Sequence, residues 1–388
     1  MQRIPATQRA NLELAAKEHG LEYVDGQGVI GWEERYYYQF TSTQIEEAIE
    51  NVAEELEELC FQVVDRAVNT ESVLDRLGIP ENFWDYIAQS WRNNDKNFLG
   101  RMDFSYDGIR PPKLLEYNAD TPTTLYETAV FQWEWLEHAR DREIIPENCD
   151  QMNDVHESMV GAFSNFGIGG LTHFACNHEV EDDSGTLDYI EECAREAGLD
   201  SCSINMEDIG IDDLGRFTDV NKHNITTLVK LYPWEWLMEE EFGAHIPSSG
   251  ILFIEPAWKA ILSNKGLLPL LWGMFEGHPN LLPSFFDDDP AFSELVEGGN
   301  YVRKPLLSRQ GANIEIFQNG NSLLKSDGPY GGGPNILQAF EPLPEFEGKY
   351  PLVGCWMVAS KAVGLCVRED DTLITGNEAR VIPHIILD

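Results

Sequence analysis

Phe98-Leu-Gly-Arg-Met-Asp-Phe-Ser105 and Lys113-Leu-Leu-Glu-Tyr-Asn118 read as two strands, parted by the turn signal Tyr106-Asp-Gly108 and by Pro111-Pro112, which stops the turn region. Side chains two apart in a strand share a face, roughly 6.6 Å from one another. Arg101 therefore shares a face with Asp103, and Glu116 with Asn118. If the strands pair, one patch holds a guanidinium, two carboxylates and a carboxamide. Hard oxygen donors of that kind suit Mg²⁺, which takes one or two carboxylates and leaves its other positions to water and phosphate oxygens. A guanidinium beside them offers a fork of donors to a phosphoryl group. The plainer alternative is a surface ion pair across a hairpin.

Upstream, residues 41–65 read as a helix. Thr43 and Glu46 give a capping box, and Ile45, Ile49, Val52, Leu56, Leu59 and Val63 make one apolar stripe. Glu46, Glu47, Glu50, Glu54, Glu55, Glu57 and Glu58 then form a solvated face. Further helices are expected over Glu81–Arg92 and 127–140. Downstream, Leu171–Cys176, a helix over 186–197 ended by Gly198, and a strand over 201–206 make a Rossmann-like half unit. Its connection, Glu179-Val-Glu-Asp-Asp-Ser-Gly185, is acidic and lacks Gly-x-Gly-x-x-Gly, so it is no phosphate cradle. The C-terminal third is strand-rich, with strands over 300–304 and 313–317 and a hairpin of Tyr350–Val358 with 362–368. Residues 326–335, with Gly328, Gly331, Gly332 and Gly333, are a mobile-loop candidate. Three units follow: 1–165, helical with the charged hairpin; 166–250, the Rossmann-like unit; and 251–388.

Composition narrows the function. The 388 residues carry 27 Lys and Arg against 67 Asp and Glu, a net charge of −40. Such a surface repels phosphate backbones and argues against nucleic-acid partners. The longest apolar run, Gly266-Leu-Leu-Pro-Leu-Leu-Trp-Gly-Met-Phe275, is about half the roughly 20 residues of a membrane span. The N-terminal stretch shows no apolar secretion-signal core. Seven cysteines, none in a Cys-x-x-Cys pair, point to reduced thiols and a cytoplasmic setting.

Lys265, after Ala260-Ile-Leu-Ser-Asn264, and Lys304, in Tyr301-Val-Arg-Lys-Pro305, are each flanked by apolar segments. Beside a Mg²⁺-type patch they suggest triphosphate binding. No Gly-x-x-x-x-Gly-Lys-Ser/Thr and no kinase motif set occurs, so any ATP site is of another kind. His173-Phe-Ala-Cys176-Asn-His178 matches no common structural-zinc spacing, and Asp287-Asp-Asp289 reads as a turn. Tyr232-Pro-Trp-Glu-Trp-Leu-Met-Glu-Glu-Glu-Phe242 reads as a helix start with core tryptophans, the alternative being a pocket for an amine.

Taken in order, Gly100-Arg-Met-Asp-Phe104, Lys113-Leu-Leu-Glu-Tyr-Asn-Ala-Asp-Thr-Pro-Thr123, Glu255-Pro-Ala-Trp-Lys259 with Ser263-Asn-Lys265, Tyr301-Val-Arg-Lys-Pro305 and Thr372-Leu-Ile-Thr375 closely resemble the glutathionylspermidine synthase family, above all its short bacterial acid–amine ligase members. The resemblance runs over essentially the whole chain. It implies an α+β fold: an ATP-grasp ligase, permuted as in glutathione synthetases, with a Rossmann-like pre-ATP-grasp subdomain. It implies an ATP- and Mg²⁺-dependent ligase that joins a small-molecule acid to an amine through an acyl phosphate, as monomer or homodimer. By the same resemblance Arg101 meets the transferring phosphoryl group, and Asp103, Glu116 and Asn118 ligate Mg²⁺. Lys265 and Lys304 meet ATP phosphates, with Gln310 and Gly311 in the turn beyond. Gln338, Ala339, Phe340 and Glu341 form the adenine-side hinge, and Leu373, Ile374 and Thr375 a further nucleotide contact. Thr121 and Thr123 stand where the family places two serines for the acid substrate, and Arg368 matches its acid-binding arginine. Asn377 and Arg380 replace a lysine and an aspartate of the substrate side, and Leu352 an ATP-side glutamine. The chain has no room for the amidase unit of bifunctional members. The alternatives are a phosphotransferase that releases a phosphorylated product, and a non-catalytic nucleotide- or polyamine-binding protein.

Overall fold

Strand Leu99–Ser105 is buried at every residue, and its alternation sorts two kinds of surface. In the computed structural model, which describes residues 1–18, 24–25, 28–29, 31–178 and 181–388, it lies inside a five-stranded antiparallel sheet. The spatial order is Arg380–Ile382, Lys361–Asp370, Tyr350–Val358, Leu99–Ser105 and Lys113–Asn118. Met102 and Phe104 pack with Val353, Cys355, Leu365 and Val367 in a core shared with Val52, Leu56 and Val63 of helix Asn51–Ala67. The opposite face carries Arg101 and Asp103 at one end. It runs into a second core through Leu99, Trp356 and Cys366 at the other.

The apolar stripe upstream docks on that sheet as its spacing requires, but two details differ from expectation. The capping box sits at Thr41 and Gln44, not Thr43 and Glu46. Thr41 Oγ1 accepts from Gln44 N–H at 3.2 Å, and Gln44 Oε1 from Thr41 N–H at 3.0 Å. Thr41 has the extended backbone that a cap needs, whereas Thr43 lies within Ser42–Ile45. Nor is the glutamate face uniformly solvated. Glu57 is buried because Tyr117 Oη donates to it, as does Asn97 Nδ2 at 3.3 Å.

A second antiparallel sheet follows the order Ser284–Phe286, Asn335–Ala339, Tyr301–Pro305, Glu315–Gln318 and Asn321–Lys325. A third sheet, Leu252–Ile254, Thr227–Leu231, Leu171–Cys176 and Asp200–Asn205, is parallel throughout. Helix Glu181–Glu196 makes the crossover between its last two strands and stops before Gly198, at φ 90°. It begins earlier than the expected residue 186, since acidic residues such as Asp183 suit a first helical turn better than a loop. Residues 179–180 of the expected loop lie outside the described residues.

The discounted motifs resolve by position. His173 and Cys176 point to opposite faces of their strand, and His178 is exposed. Helix Trp234–Glu239 starts where expected and buries Trp234, but Trp236 is 41% exposed and so is not a core tryptophan. All seven cysteines are free thiols. Among the described residues no helix is long and apolar enough to cross a membrane.

Candidate active site

Strand pairing brings the charged residues together. Arg101 lies opposite Asn118 and Asp103 opposite Glu116. On the next strands Gly354 lies opposite Asp103, and Leu352 opposite Arg368. Asp103, fully buried, is the hub. Its oxygens accept from Arg101 Nε at 2.7 Å and Nη2 at 3.0 Å, from Arg368 Nη2 at 2.7 Å and from Asn118 Nδ2 at 2.9 Å. Asn118 Nδ2 also reaches Glu116 Oε1 at 3.3 Å. Arg101 is further held by the Thr123 carbonyl.

Gly354 makes this cluster possible. A Cβ there would lie 2.9 Å from Arg101 Cδ and 3.1 Å from Asp103 Oδ1. A glycine inside a central strand is a mark of close approach, and that was the signal available in the sequence.

Two cations face the cluster from across the cleft, Lys304 from the second sheet and Lys265 from the segment between helices Lys259–Leu262 and Leu267–Met274. Lys265 Nζ lies 3.3 Å from Glu116 Oε2 and donates to the Ser308 carbonyl at 2.6 Å. Lys304 Nζ donates to the Leu115 carbonyl at 2.9 Å and to Gln338 Oε1 at 2.8 Å. Burial would raise the Glu116 carboxyl, but Lys265, Lys304, Arg368 and Arg101 outweigh it and hold the group well below the usual carboxylate range. Burial, helped by Lys265, lowers Lys304 to about 8 against the pull of Glu116 and Asp103. Burial and the neighbouring Arg101 likewise lower Arg368.

All eighteen residues to which the resemblance gives a binding or catalytic role border one cleft of about 1520 Å³, open solvent included. Gln310 and Gly311 turn at φ 54° and 70°, and a Cβ on Gly311 would meet the Thr375 carbonyl at 2.6 Å, so this turn packs on Leu373–Ile374–Thr375. Gln338 and Ala339 end their strand, and Phe340 and Glu341 continue along the wall. Thr121, Thr123 and Arg368 border the same space, as does Leu352. Asn377 instead lines the hollow beneath the glycine-rich loop, and Arg380 lies on edge strand Arg380–Ile382. That loop is tied at its base, where Tyr330 N–H donates to Asn313 Oδ1 at 2.8 Å.

Several cleft residues escaped sequence reasoning: Asn264, Ser308, Arg309 and Glu235. Asn264 sat inside a quoted motif, and Glu235 inside the stretch weighed as an amine pocket. Ser308 and Arg309 carried no signal. Buried Arg368 Nε and Ser308 Oγ have no hydrogen-bond partner within the described residues, which leaves donors for a ligand.

The donor set fits a hard divalent cation. Among the described residues no cluster of three or more His, Cys, Asp and Glu side chains forms. Asp103, Glu116 and Asn118 would hold an ion of the Mg²⁺ kind, with its other positions left to oxygens of water or ligand.

Comparison with known proteins gives the family. The family profile described as "Glutathionylspermidine synthase preATP-grasp" matches residues 3–387. A Haemophilus influenzae protein described as "Putative acid--amine ligase" is 37% identical over 364 residues, covering 91% of this chain and 90% of that one. The bifunctional glutathionylspermidine synthetase/amidase of Escherichia coli is 25% identical, over 94% of this chain and 62% of the enzyme. Trypanothione synthetase of Crithidia fasciculata is 26% identical, over 83% of this chain and 52% of the enzyme. The chain thus spans less than two thirds of these two longer relatives.

Proposed function

This chain belongs to the glutathionylspermidine synthase family, and on that premise we propose that its cleft joins a carboxylic acid to an amine at the expense of ATP. A carboxylate is a poor acceptor for amines. Its oxygen attacks the γ-phosphorus, the bond to the β-phosphate oxygen breaks, and ADP leaves. The acyl phosphate is then attacked by the free amine, the carbonyl–oxygen bond breaks, and amide, phosphate and a proton are released.

The difficulty is electrostatic, because carboxylate and triphosphate repel. Lys265 and Lys304 grip the phosphates from one wall, and Arg101 offers its guanidinium to the phosphoryl group in flight. Fixed donors of this kind stabilise charge as it develops without reorganising. Asp103, Glu116 and Asn118 would hold Mg²⁺, which when bound supplies further positive charge against the triphosphate. Gln338, Ala339, Phe340 and Glu341 flank the adenine, with Gln310, Gly311, Leu373, Ile374 and Thr375 closing the nucleotide side. The partnerless Nε of Arg368, with Thr121 and Thr123, receives the acid. The glycine-rich loop excludes water from the acyl phosphate. The architecture in this reading is a permuted ATP-grasp with a Rossmann-like pre-ATP-grasp subdomain, for which the parallel sheet is the support.

One observation carries the reading: two carboxylates, a carboxamide and two guanidinium groups share one sheet face, and two buried lysines meet them across a 3.3 Å contact from Lys265 to Glu116. With Asn377 and Arg380 in place of the family's substrate-side lysine and aspartate, the resemblance does not name the acid or the amine. The test is a screen of acids and amines for ADP release with MgATP, followed by product mass. An amide is expected. A phosphorylated acid that persists with amines present would make the protein a phosphotransferase.

A further inference from the structure

The motif Glu255-Pro-Ala-Trp-Lys259 has no part in the chemistry above, yet its two charged side chains are buried. Glu255 follows parallel strand Leu252–Ile254, and Lys259 opens helix Lys259–Leu262. Lys259 Nζ lies 2.6 Å from Glu255 Oε2. Both then act on one residue. Leu99 N–H donates to Glu255 Oε1 at 2.6 Å, Phe98 N–H donates to Oε2 at 3.1 Å, and Lys259 Nζ donates to the Leu99 carbonyl at 2.7 Å. Leu99 begins the strand that carries Arg101 and Asp103.

A second buried pair repeats the device one strand over. Lys230, in strand Thr227–Leu231, donates to Asp120 Oδ1 and to the Tyr232 carbonyl at 2.9 Å. Trp234 N–H donates to Asp120 Oδ2 at 2.8 Å. Asp120 lies just past Asn118 and leads into Thr121 and Thr123. Trp234 joins the pairs: its Nε1 donates to the Glu255 carbonyl at 3.2 Å, and Lys230 sits 4.8 Å from its ring centre. Two adjacent parallel strands thus end in ion pairs that hold both strands of the charged hairpin.

Buried ion pairs rarely stabilise a fold better than apolar side chains of equal volume. What they add is direction, because a charged hydrogen bond fixes the backbone group it meets. We propose that these are positioning residues: Glu255 and Lys259 set Arg101 and Asp103 through Leu99, and Lys230 sets the Asn118–Thr123 segment, whose Thr123 carbonyl holds Arg101, through Asp120 at the border of the cleft. The inference rests on the reading of the cleft given above.

Glu255→Asp tests it. The substitution keeps a charge for Lys259 but withdraws the carboxylate from Leu99 by one methylene, and Asp120→Asn weakens the other pair. ADP release from MgATP is measured with the acid and amine that the screen selects or, lacking those, with water as acceptor. Rates are normalised to the folded fraction seen by circular dichroism. The expected loss in kcat is about 100-fold, the scale of a misplacement near 1 Å. Affinity for a non-hydrolysable ATP analogue, measured by calorimetry, stays within twofold, because Lys265 and Lys304 are untouched. A protein with neither analogue binding nor ADP release before substitution overturns the cleft reading itself. If it has both, kcat within twofold in the variants, or analogue affinity falling in step with kcat, overturns the positioning role alone. Failure of both variants to fold in the cold would make the pairs props of the fold and overturn it equally.

Discussion

The two antiparallel sheets that wall the cleft are assembled differently. The one that carries Lys304 and Gln338 is drawn from a single stretch, Ser284–Phe286 to Asn335–Ala339. The one that carries Arg101, Asp103, Glu116 and Asn118 is completed by strands from the far end of the chain, so that Arg368 meets Asp103 across 265 positions. The charges differ as well. The local sheet contributes a lysine beside a neutral amide, and the composite sheet contributes carboxylates interleaved with arginines. The contrast suggests a division of work in which the local sheet holds nucleotide and the composite sheet runs the chemistry.

The largest expected effect breaks the composite side. Asp103→Asn should lower ADP release about 1,000-fold, the scale seen when a preorganised group that stabilises charge is lost, with analogue affinity far less changed. Equal losses of both would erase the division. Gly354→Ala comes next. Its new Cβ would press on Arg101 Cδ and Asp103 Oδ1, and about 100-fold in kcat should go with little change in analogue affinity.

On the local side, Lys304→Ala should weaken ATP analogue binding about tenfold or more, in line with ~1.5–3 kcal/mol for a hydrogen bond to a charged group. Calorimetry reads it, and unchanged affinity would remove Lys304 from the phosphate grip. The smallest effect is its titration. Lys304 is lowered from 10.5 to about 8 in the fold, so analogue affinity should fall as pH rises through 8 and the amine loses its charge. Stability should do the opposite. Between about pH 8 and 10.5 the unfolded chain binds a proton that the folded one does not, so this group's contribution rises with pH. Lys304→Ala should flatten both trends.

What the sequence disclosed follows the same contrast. Period-two alternation put Arg101 with Asp103 and Glu116 with Asn118, because one short turn joins their strands and the register is local. Helix Glu81–Arg92 and strand Leu171–Cys176 were legible from periodicity for the same reason. The misses are mostly long-range. Glu57 looked solvated until Tyr117 covered it, and nothing near Glu255 announces Leu99 as its partner. The cap at Thr41 was missed through competition between two nearby Thr-x-x-Glu/Gln patterns. On the site itself, residue types foretold the charged cluster, whereas Ser308 and Arg309 are set by a turn whose course only the packed sheets decide.

The central claim is that this cleft moves phosphate onto a carboxylate before the amine arrives. An acid labelled with oxygen-18 in its carboxyl group, supplied with amine and MgATP, tests it most directly. The account predicts one labelled oxygen in the phosphate released, read by mass spectrometry, alongside the amide. Amide formed with unlabelled phosphate would contradict it.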